Sequence, residues 1–273
     1  MYNLKEVAQE TLSVIRSGRY RLNGEEIALP ATYGEICRAE AISPEEVRRC
    51  RQELSGLSVY DKTFVSVNIL DSFEAAKSVQ GRVLVHNFAN AFHPGGGFLR
   101  GAPAQEEALC RESTLYASLS SGAAAQVYEY NANARTAAGS DYMIVSPKVV
   151  VFRDSACNFL REPFTTSVIS YAAPDLEGDA YELTDEEVRP IMLEKIRNML
   201  SVAAVKGYDA LVLGAWGCGA FCHDAKDMAE NFRQVLFAEN YRRHFSQIVF
   251  AVYSPRGSSY NYKRFLERLG GGE

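Results

Sequence analysis

Two groups of residues that could carry chemistry lie close together between positions 86 and 113. A run of three glycines, Gly95-Gly96-Gly97, is followed after a seven-residue spacer by Gln105 and the acid pair Glu106-Glu107. Glycines contribute no packing side chains and lose much conformational freedom on folding, so we expect this run to serve close backbone approach to a ligand. Carboxylates at the start of a helix can supply a general acid and an anchor for hydroxyl groups. The stretch therefore indicates a site rather than a scaffold.

A second glycine-rich segment follows another predicted strand and precedes a predicted helix. It reads Gly214-Ala215-Trp216-Gly217-Cys218-Gly219-Ala220-Phe221. A turn of this kind offers free amides and the positive end of a helix, and both favour phosphate. It matches neither the P-loop nor the dinucleotide-binding fingerprint. We expect it to bind a pyrophosphate, and the alternative is tight packing at a strand-helix turn.

The two segments and the triplet Gln105-Glu106-Glu107 resemble the signature of bacterial-type poly(ADP-ribose) glycohydrolases. Val151-Phe152-Arg153-Asp154 and Ala173-Pro174 look like further blocks of that family, in the family's order. The resemblance covers roughly the whole chain. It implies a macrodomain-like three-layer α/β/α fold with a mixed, mainly parallel sheet, and hydrolysis of ribose-ribose O-glycosidic bonds in poly(ADP-ribose). The implied reaction releases ADP-ribose and uses no metal or other cofactor.

The resemblance also implies a division of labour between the two acids. In that family the last glutamate of the triplet is catalytic, which corresponds to Glu107, and Glu106 would hold a ribose hydroxyl. Adjacent helical residues point about 100° apart, so we expect the two to do different work. A helix amino terminus lowers the pKa of a carboxyl, whereas a general acid needs a raised pKa, which burial, the neighbouring charge and ligand phosphates would have to supply. The alternative is that both acids only complement the helix dipole.

Other candidates for ligand binding come from the two segments and their surroundings. The substrate-binding set that we predict is Asn90, Gly95, Gly96, Gly97, Gln105, Gly214, Trp216, Gly217, Cys218, Gly219, Ala220 and Phe221. Asn90 is preferred to Asn87 for binding a ribose, although asparagine also forms turns. Trp216 and Phe221 are each either ligand contacts or packing aromatics. His86 and His93 are expected to be loop or core residues, because no catalytic partner is evident.

The cysteines and the charge of the chain exclude several classes of protein. Six scattered cysteines form no disulfide framework, so we expect free thiols. A zinc site of the usual spacing has a second pair of ligands. The sequence provides none to go with Cys218, Cys222 and His223, so we predict no metal. A net charge of −5 argues against direct DNA binding. Without a signal peptide or a long apolar run, we expect a cytoplasmic protein that is a monomer and does not associate with membranes.

The elements that must position these residues alternate along the chain. Residues 1–60 are predicted as a mostly helical extension, with a helix over 4–17, a hairpin at Asn23-Gly24 and a capped helix after Ser43. Residues 61–273 are predicted as the macrodomain-like catalytic domain. Strands are predicted at 64–67, 82–88, 142–145, 149–152, 167–170, 210–213 and 248–252, and helices at 71–79, 105–119, 184–206, 224–239 and 258–269. This alternation is typical of a mainly parallel sheet covered on both faces.

Two further functions stay open beside glycohydrolysis of the polymer. One is a module that binds ADP-ribose without cleaving it, which could dispense with the acid pair. The other is a hydrolase for mono-ADP-ribosyl groups. In each case the expected partner is ADP-ribose or poly(ADP-ribose) on modified proteins. Because both acids are present, we favour the enzyme.

Overall fold

The computed structural model describes residues 3–255 and 257–271. The helices in this part of the chain are α1 (Leu4–Ser17), α2 (Tyr33–Ile36), α3 (Pro44–Glu53), α4 (Ser72–Lys77), α5 (Gln105–Glu112), α6 (Leu115–Leu119), α7 (Gly122–Ala134), α8 (Asp185–Val205), α9 (Ala225–Arg233) and α10 (Tyr260–Leu269). The strands are β1 (Arg19–Leu22), β2 (Glu25–Ala28), β3 (Glu40–Ile42), β4 (Phe64–Asn68), β5 (Val83–Phe88), β6 (Met143–Arg153), β7 (Phe159–Tyr171), β8 (Ala210–Leu213) and β9 (Gln247–Ala251). Strands β3 to β9 belong to a mixed sheet.

The chain forms two compact units. Of the described residues, the first unit takes those in 1–41, 87–133 and 143–171, and the second takes those in 42–86, 134–142 and 172–273. The predicted division into an extension (1–60) and a catalytic domain (61–273) rests on the change in element type along the sequence and not on compactness. It stays a prediction.

The first unit is built around an antiparallel pair of long strands. β6 and β7 pair from Ile144–Ser170 to Arg153–Phe159, with register shifts after Ser146 and Val151. The β1–β2 hairpin turns at the predicted Asn23-Gly24, and Asn23 has a φ of 52°. Buried apolar side chains from the amino-terminal elements and from β6 form one core cluster: Val14, Ile15, Tyr20, Leu29, Ile36, Val150 and Phe152.

The second unit contains the parallel part of the sheet. Its strands lie in the order β5-β8-β9-β4, and the three pairings between them are parallel. The predicted mainly parallel, mixed sheet is therefore confirmed. Helix α8 packs against α3 and α9, α10 packs against α9 and β4, and α4 packs against β8 and β9. β8 is buried throughout, as its unbroken apolar sequence predicts.

Local signals in the sequence fix many boundaries correctly. Gly18 ends α1 in the left-handed conformation, with a φ of 67°. Ser43 and Thr184 each form a capping box, with Glu46 and Glu187 respectively, so α3 and α8 begin where predicted. Among the described residues, no helix is both long and apolar enough to cross a membrane.

The predicted helix over 105–119 is wrong as one element. It divides into α5 and α6, because Ser113 is extended (φ −147°, ψ −175°) and forms an antiparallel bridge with Val151 of β6. Thr114 reinforces the break, since its N–H donates to the carbonyl of Val150 and its hydroxyl accepts from the N–H of Val150. The pairing with β6 thus overrides the near-helical spacing of Leu109, Leu115 and Leu119.

Four other elements differ from the predictions. The two short strands predicted around residues 142–152 are one strand, β6, which a bulge near Ser146 bends without ending it. β7 is much longer than the predicted 167–170, because its first half is a partly exposed ribbon with polar residues. Helix α7 was not predicted, and its alanine-rich sequence has little contrast between its faces. The helix predicted over 224–239 ends at Arg233 and continues as a π-helical turn, Gln234–Ala238.

Candidate active site

The triplet at the start of α5 binds the chain segment that precedes it. Each of its three side chains accepts a hydrogen bond from a backbone N–H group: Gln105 Oε1 from Phe88 (2.9 Å), Glu106 Oε2 from Asn90 (2.8 Å) and Glu107 Oε1 from Gly97 (2.7 Å). The end of β5 and the glycine run are therefore tied to the first turn of one helix. Complementing the helix dipole is thus not the only role of the two acids.

Glu106 is a buried carboxyl with donors at both oxygens. Its residue is 3% exposed, and Oε1 also accepts from Asn87 Nδ2 at 3.2 Å. Burial raises the pKa of Glu106 to about 8, against the lowering effect of hydrogen bonds from Asn90, Asn87 and Gly95, while the neighbouring Glu107 adds to the rise. A rise in pKa of the kind that a general acid requires is thus found on Glu106.

Glu107 has one occupied and one unoccupied oxygen. It is 7% exposed, and while Oε1 accepts from Gly97, Oε2 is buried and has no hydrogen-bond partner among the described residues. A buried carboxyl oxygen without a partner is costly, which makes it a candidate for function. The two acids therefore differ: one is held at both oxygens and the other at one.

The glycine run has a structural reason beside the expected approach of a ligand, because the acid pair occupies the space of a side chain there. Gly95 and Gly96 have φ values of 66° and 55°. A Cβ on Gly96 would lie 2.6 Å from Glu107 Oε1 and 3.0 Å from Glu106 Oε2, so both carboxylates converge on this glycine although their residues are adjacent. A Cβ on Gly97 would lie 2.7 Å from Ala102 Cβ. The N–H groups of Gly96 and Gly97 donate to His93 O and Glu107, so these two amides are already engaged within the protein.

Asn87, predicted to be a weaker candidate than Asn90, touches the acid pair through its side chain. It is fully buried, and its Nδ2 donates to Glu106 and to Ser170 Oγ at 2.9 Å. The Asn90 side-chain oxygen instead accepts from the N–H groups of Phe92 and His93, both at 2.9 Å, which is the turn-forming role of asparagine. Asn90 contacts Glu106 through its backbone. Position in the strand distinguishes the two, because Asn87 lies inside β5 and Asn90 beyond it.

The segment 214–221 is a loop whose last amides are unoccupied. The N–H groups of Trp216 and Cys218 donate to Gly214 O and Ala215 O, which closes the loop on itself. In the part of the chain that the structure describes, the N–H groups of Gly219, Ala220 and Phe221 have no acceptor. Gly219 and Ala220 are exposed and Phe221 is partly buried. These three successive amides can receive an anion.

Two parts of this loop are structural. Trp216 is 0% exposed and packs edge-on against His86, with ring centroids 4.6 Å apart, so the packing interpretation of its side chain fits and direct ligand contact does not. Gly217 has a φ of 74°, and a Cβ there would lie 2.5 Å from the His223 ring. His223 is itself held by Pro174 O at 2.8 Å from its Nε2. A bulky residue at 217 would therefore disturb the loop.

The helix that follows the loop does not offer the predicted free amino terminus. α9 begins only at Ala225, and Asp224 caps it by accepting from the N–H groups of Lys226 and Asp227 at 2.8 and 3.1 Å. The carboxylate both occupies these amides and offsets the positive helix end. Any anion site here therefore depends on the loop amides.

The cysteines are free thiols, as predicted. Burial raises the pKa of Cys218, whose Sγ lies 3.5 Å from Trp216 O, and the carbonyl of Cys218 accepts from Asn261. Among the described residues, no group of three or more His, Cys, Asp or Glu side chains could hold a metal ion.

Comparisons with known proteins agree with this geometry. The profile of the microbial-type PARG catalytic domain family matches residues 8–154. The chain is similar to the crystal structure of poly(ADP-ribose) glycohydrolase from Thermomonospora curvata, with a TM-score of 0.91, 32% identity and coverage of 98% of this chain and 100% of the other. It is also similar to the enzyme from Deinococcus radiodurans in complex with ADP-ribose, with a TM-score of 0.80, 32% identity and coverage of 89% and 98%. A comparison with curated protein sequences gave no match.

Proposed function

The chain belongs to the microbial-type poly(ADP-ribose) glycohydrolase family and is thus a glycosidase that hydrolyses poly(ADP-ribose), and we propose that Glu107 is its general acid. The observation that carries this assignment is the unpartnered Oε2 of Glu107. It is a carboxyl oxygen of the acid pair without a donor, while its partner oxygen is fixed by Gly97. An acid held at one oxygen and without a hydrogen-bond partner at the other is suited to proton transfer.

The proposed reaction begins when the one proton that the acid pair holds lies on Glu107, which transfers it to the glycosidic oxygen between two riboses. The carbon-oxygen bond breaks, its electron pair stays on the departing oxygen, and positive charge develops on the remaining ribose. Water then attacks that ribose carbon and returns a proton to the Glu107 carboxylate. The products are ADP-ribose and a polymer shortened at the bond that is cut.

Glu106 is proposed to anchor a ribose hydroxyl and to hold the shared proton of the pair in the resting enzyme. Two carboxylates that converge on one glycine repel each other when both are charged. The raised pKa of Glu106, about 8, keeps one proton on the pair at neutral pH. Asn87 and the N–H of Asn90 fix the orientation of Glu106, so its carboxyl is preorganised for binding.

The unoccupied amides of Gly219, Ala220 and Phe221 are proposed to bind the pyrophosphate of ADP-ribose. Successive backbone N–H groups in a turn form an anion-binding concavity. The complex of the Deinococcus radiodurans enzyme with ADP-ribose supports this class of ligand for the present chain. Gly214, Gly217 and Cys218 would act in this proposal by shaping the loop.

The test is incubation of the folded protein with labelled poly(ADP-ribose) in the presence of EDTA. We expect the wild-type protein to release ADP-ribose. Turnover by Glu107→Gln should be lower by about a hundredfold or more. Equal turnover by the two proteins would refute the assignment of Glu107. Absence of product from folded wild-type protein would refute the activity itself.

A substrate panel separates the alternatives. Mono-ADP-ribosylated protein as the preferred substrate would indicate a mono-ADP-ribosyl hydrolase, and binding of ADP-ribose without turnover on any substrate would indicate a binding module. The acid pair, buried and held by specific donors, favours cleavage of the polymer. The cytoplasmic location, the monomeric state and the lack of direct DNA binding remain predictions.

A further inference from the structure

We propose that Arg111 and Thr11 are positioning residues for Glu107, and that helix α1 contributes to the reaction through them. The inference rests on the proposed role of Glu107 as general acid. It concerns the segment 97–104, which connects the glycine run to α5 and carries the N–H group that binds Glu107.

Arg111 ties this segment to the last turn of α5. Its residue is 4% exposed, and its Nη1 donates to Ala102 O at 2.6 Å. The N–H of Ala102 donates to Gly97 O at 3.2 Å, and the N–H of Gly97 donates to Glu107 Oε1 at 2.7 Å. A continuous series of hydrogen bonds thus connects the buried guanidinium to one oxygen of the acid.

Helix α1 supports Arg111 from the other side. Thr11 is fully buried, and its hydroxyl donates to the Arg111 carbonyl at 2.9 Å. This carbonyl belongs to the last turn of α5, where carbonyl groups lack partners within the helix. At the other end of the segment, a Cβ on Gly101 would lie 3.2 Å from the backbone nitrogen of Lys5, so α1 also limits the space there.

These contacts determine where the Gly97 N–H points. Without the Arg111 hydrogen bond, Ala102 O would lose its donor, and the segment could move away from α5. Glu107 would then lose the hydrogen bond at Oε1, and with it the defined orientation of Oε2. Small displacements of a catalytic group reduce the rate far more than they reduce binding of the reaction product.

The test compares Arg111→Met with Arg153→Met in the 273-residue chain. Arg153 is a matched control, because it is also buried (4% exposed), donates to a backbone carbonyl, that of Cys157, and contacts α1 through an ion pair with Glu10. Its contacts do not include the segment 97–104. We expect both variants to lose thermal stability, but only Arg111→Met to lose tenfold or more in kcat at a temperature where both are folded. The Kd for ADP-ribose should stay within threefold of wild type.

Thr11 provides a second and milder test. Thr11→Val removes the hydroxyl with little change in shape, whereas Thr11→Ser keeps it. We expect a several-fold loss of kcat in Thr11→Val and near wild-type kcat in Thr11→Ser, with Kd for ADP-ribose unchanged in both. The positioning role is overturned if wild-type protein turns over polymer and folded Arg111→Met and Thr11→Val do so equally fast. Inactive wild-type protein would instead count against the proposed function.

Discussion

At the scale of single residues, the acid pair is defined by its hydrogen-bond donors. Glu106 accepts at both oxygens and Glu107 at one. Identical side chains at adjacent positions thereby acquire different chemistry, because the donors come from different parts of the chain. The presence of the pair is evident from the sequence, and so is its place at a helix start. The donors Asn87 and Gly97 could not be assigned to one acid or the other, since that depends on how the segment 88–97 folds.

Amide substitutions should separate the roles of the two acids. In Glu107→Gln the amide oxygen can still accept from Gly97, so binding of ADP-ribose should stay near normal while kcat falls by about a hundred- to ten-thousand-fold. In Glu106→Gln the NH2 group must face a donor, either Asn87 or Asn90, so ribose positioning should suffer and KM should rise. Steady-state kinetics on polymer and calorimetry with ADP-ribose measure both effects. A normal kcat in Glu107→Gln would contradict the assignment.

The titration of Glu106 should appear in the stability of the folded protein. Its folded-state pKa of about 8 lies above the ordinary value of 4.5, so the folded state binds an extra proton between these values. The stabilisation is complete below about pH 4.5 and is lost as pH rises towards 8, with a size on the order of a few kcal/mol. Denaturant unfolding from pH 5 to 8 should show a steeper loss of stability in wild type than in Glu106→Gln.

Two other buried groups titrate near the same pH range. Burial raises the pKa of Asp71 to about 7, but Asp71 is present in both proteins and cancels from the comparison. Burial lowers the pKa of Lys195 to about 8, and this residue makes stability rise with pH above that value, so the scan ends at pH 8. Parallel pH profiles for wild type and Glu106→Gln would show that Glu106 does not carry the extra proton.

At the scale of elements, the loops were the hardest part to interpret from the sequence. Both glycine-rich segments are evident from the sequence, but the structural reasons for their glycines are not. Gly96 is needed because two carboxylates occupy the space of a side chain, and Gly217 because the His223 ring does. Such reasons depend on contacts that no local pattern contains. The division of the predicted helix 105–119 has the same origin, since β6 pairs with the backbone at Ser113.

Replacement of Gly96 should damage both the fold and the reaction. In Gly96→Ala, the Cβ would meet Glu107 Oε1 at 2.6 Å, and a φ of 55° disfavours any side chain. We expect a loss of about 2–4 kcal/mol in unfolding free energy, from the strained backbone and the displaced carboxylates, together with loss of turnover. Gly34→Ala is the control, because a Cβ there has open space. Equal stabilities of the two variants would contradict the convergence of the acids on Gly96.

The second loop allows a cleaner test of ligand binding at Gly219. A Cβ at this position meets nothing within 4 Å, and its backbone has no positive φ, so Gly219→Val should fold with normal stability. The new side chain would stand beside the amides proposed to receive the pyrophosphate, so the Kd for ADP-ribose should rise about tenfold or more, a loss of about 1.4 kcal/mol. Unchanged affinity in calorimetry would remove Gly219–Phe221 from the binding site.

At the scale of the whole molecule, the fold class follows from the sequence, while the division into an extension and a catalytic domain stays a prediction. The mainly parallel sheet follows from alternating strands and helices, and the family resemblance supplied the rest. A boundary near residue 60 was inferred from the change in element type. The compact units follow another criterion and combine distant segments, with residues 3–41 in one and 42–60 in the other. The sequence does not reveal that residues 42–60 join a different unit from those before them, because both segments contain capped helices.

The organisation of the first unit predicts that its catalytic elements need the amino-terminal segment. Five side chains from this segment, Val14, Ile15, Tyr20, Leu29 and Ile36, are buried in one cluster with Val150 and Phe152 of β6. Burial of each large apolar side chain contributes about 1.5–3 kcal/mol, so their loss is comparable with the total stability of a domain, about 5–15 kcal/mol. A chain that starts at residue 61 should therefore be largely unfolded or aggregated, with no turnover of polymer. Circular dichroism melting and gel filtration of this fragment beside the 273-residue chain measure the effect. A monomeric fragment with a cooperative melt near that of the 273-residue chain would show that residues 1–60 are a dispensable extension.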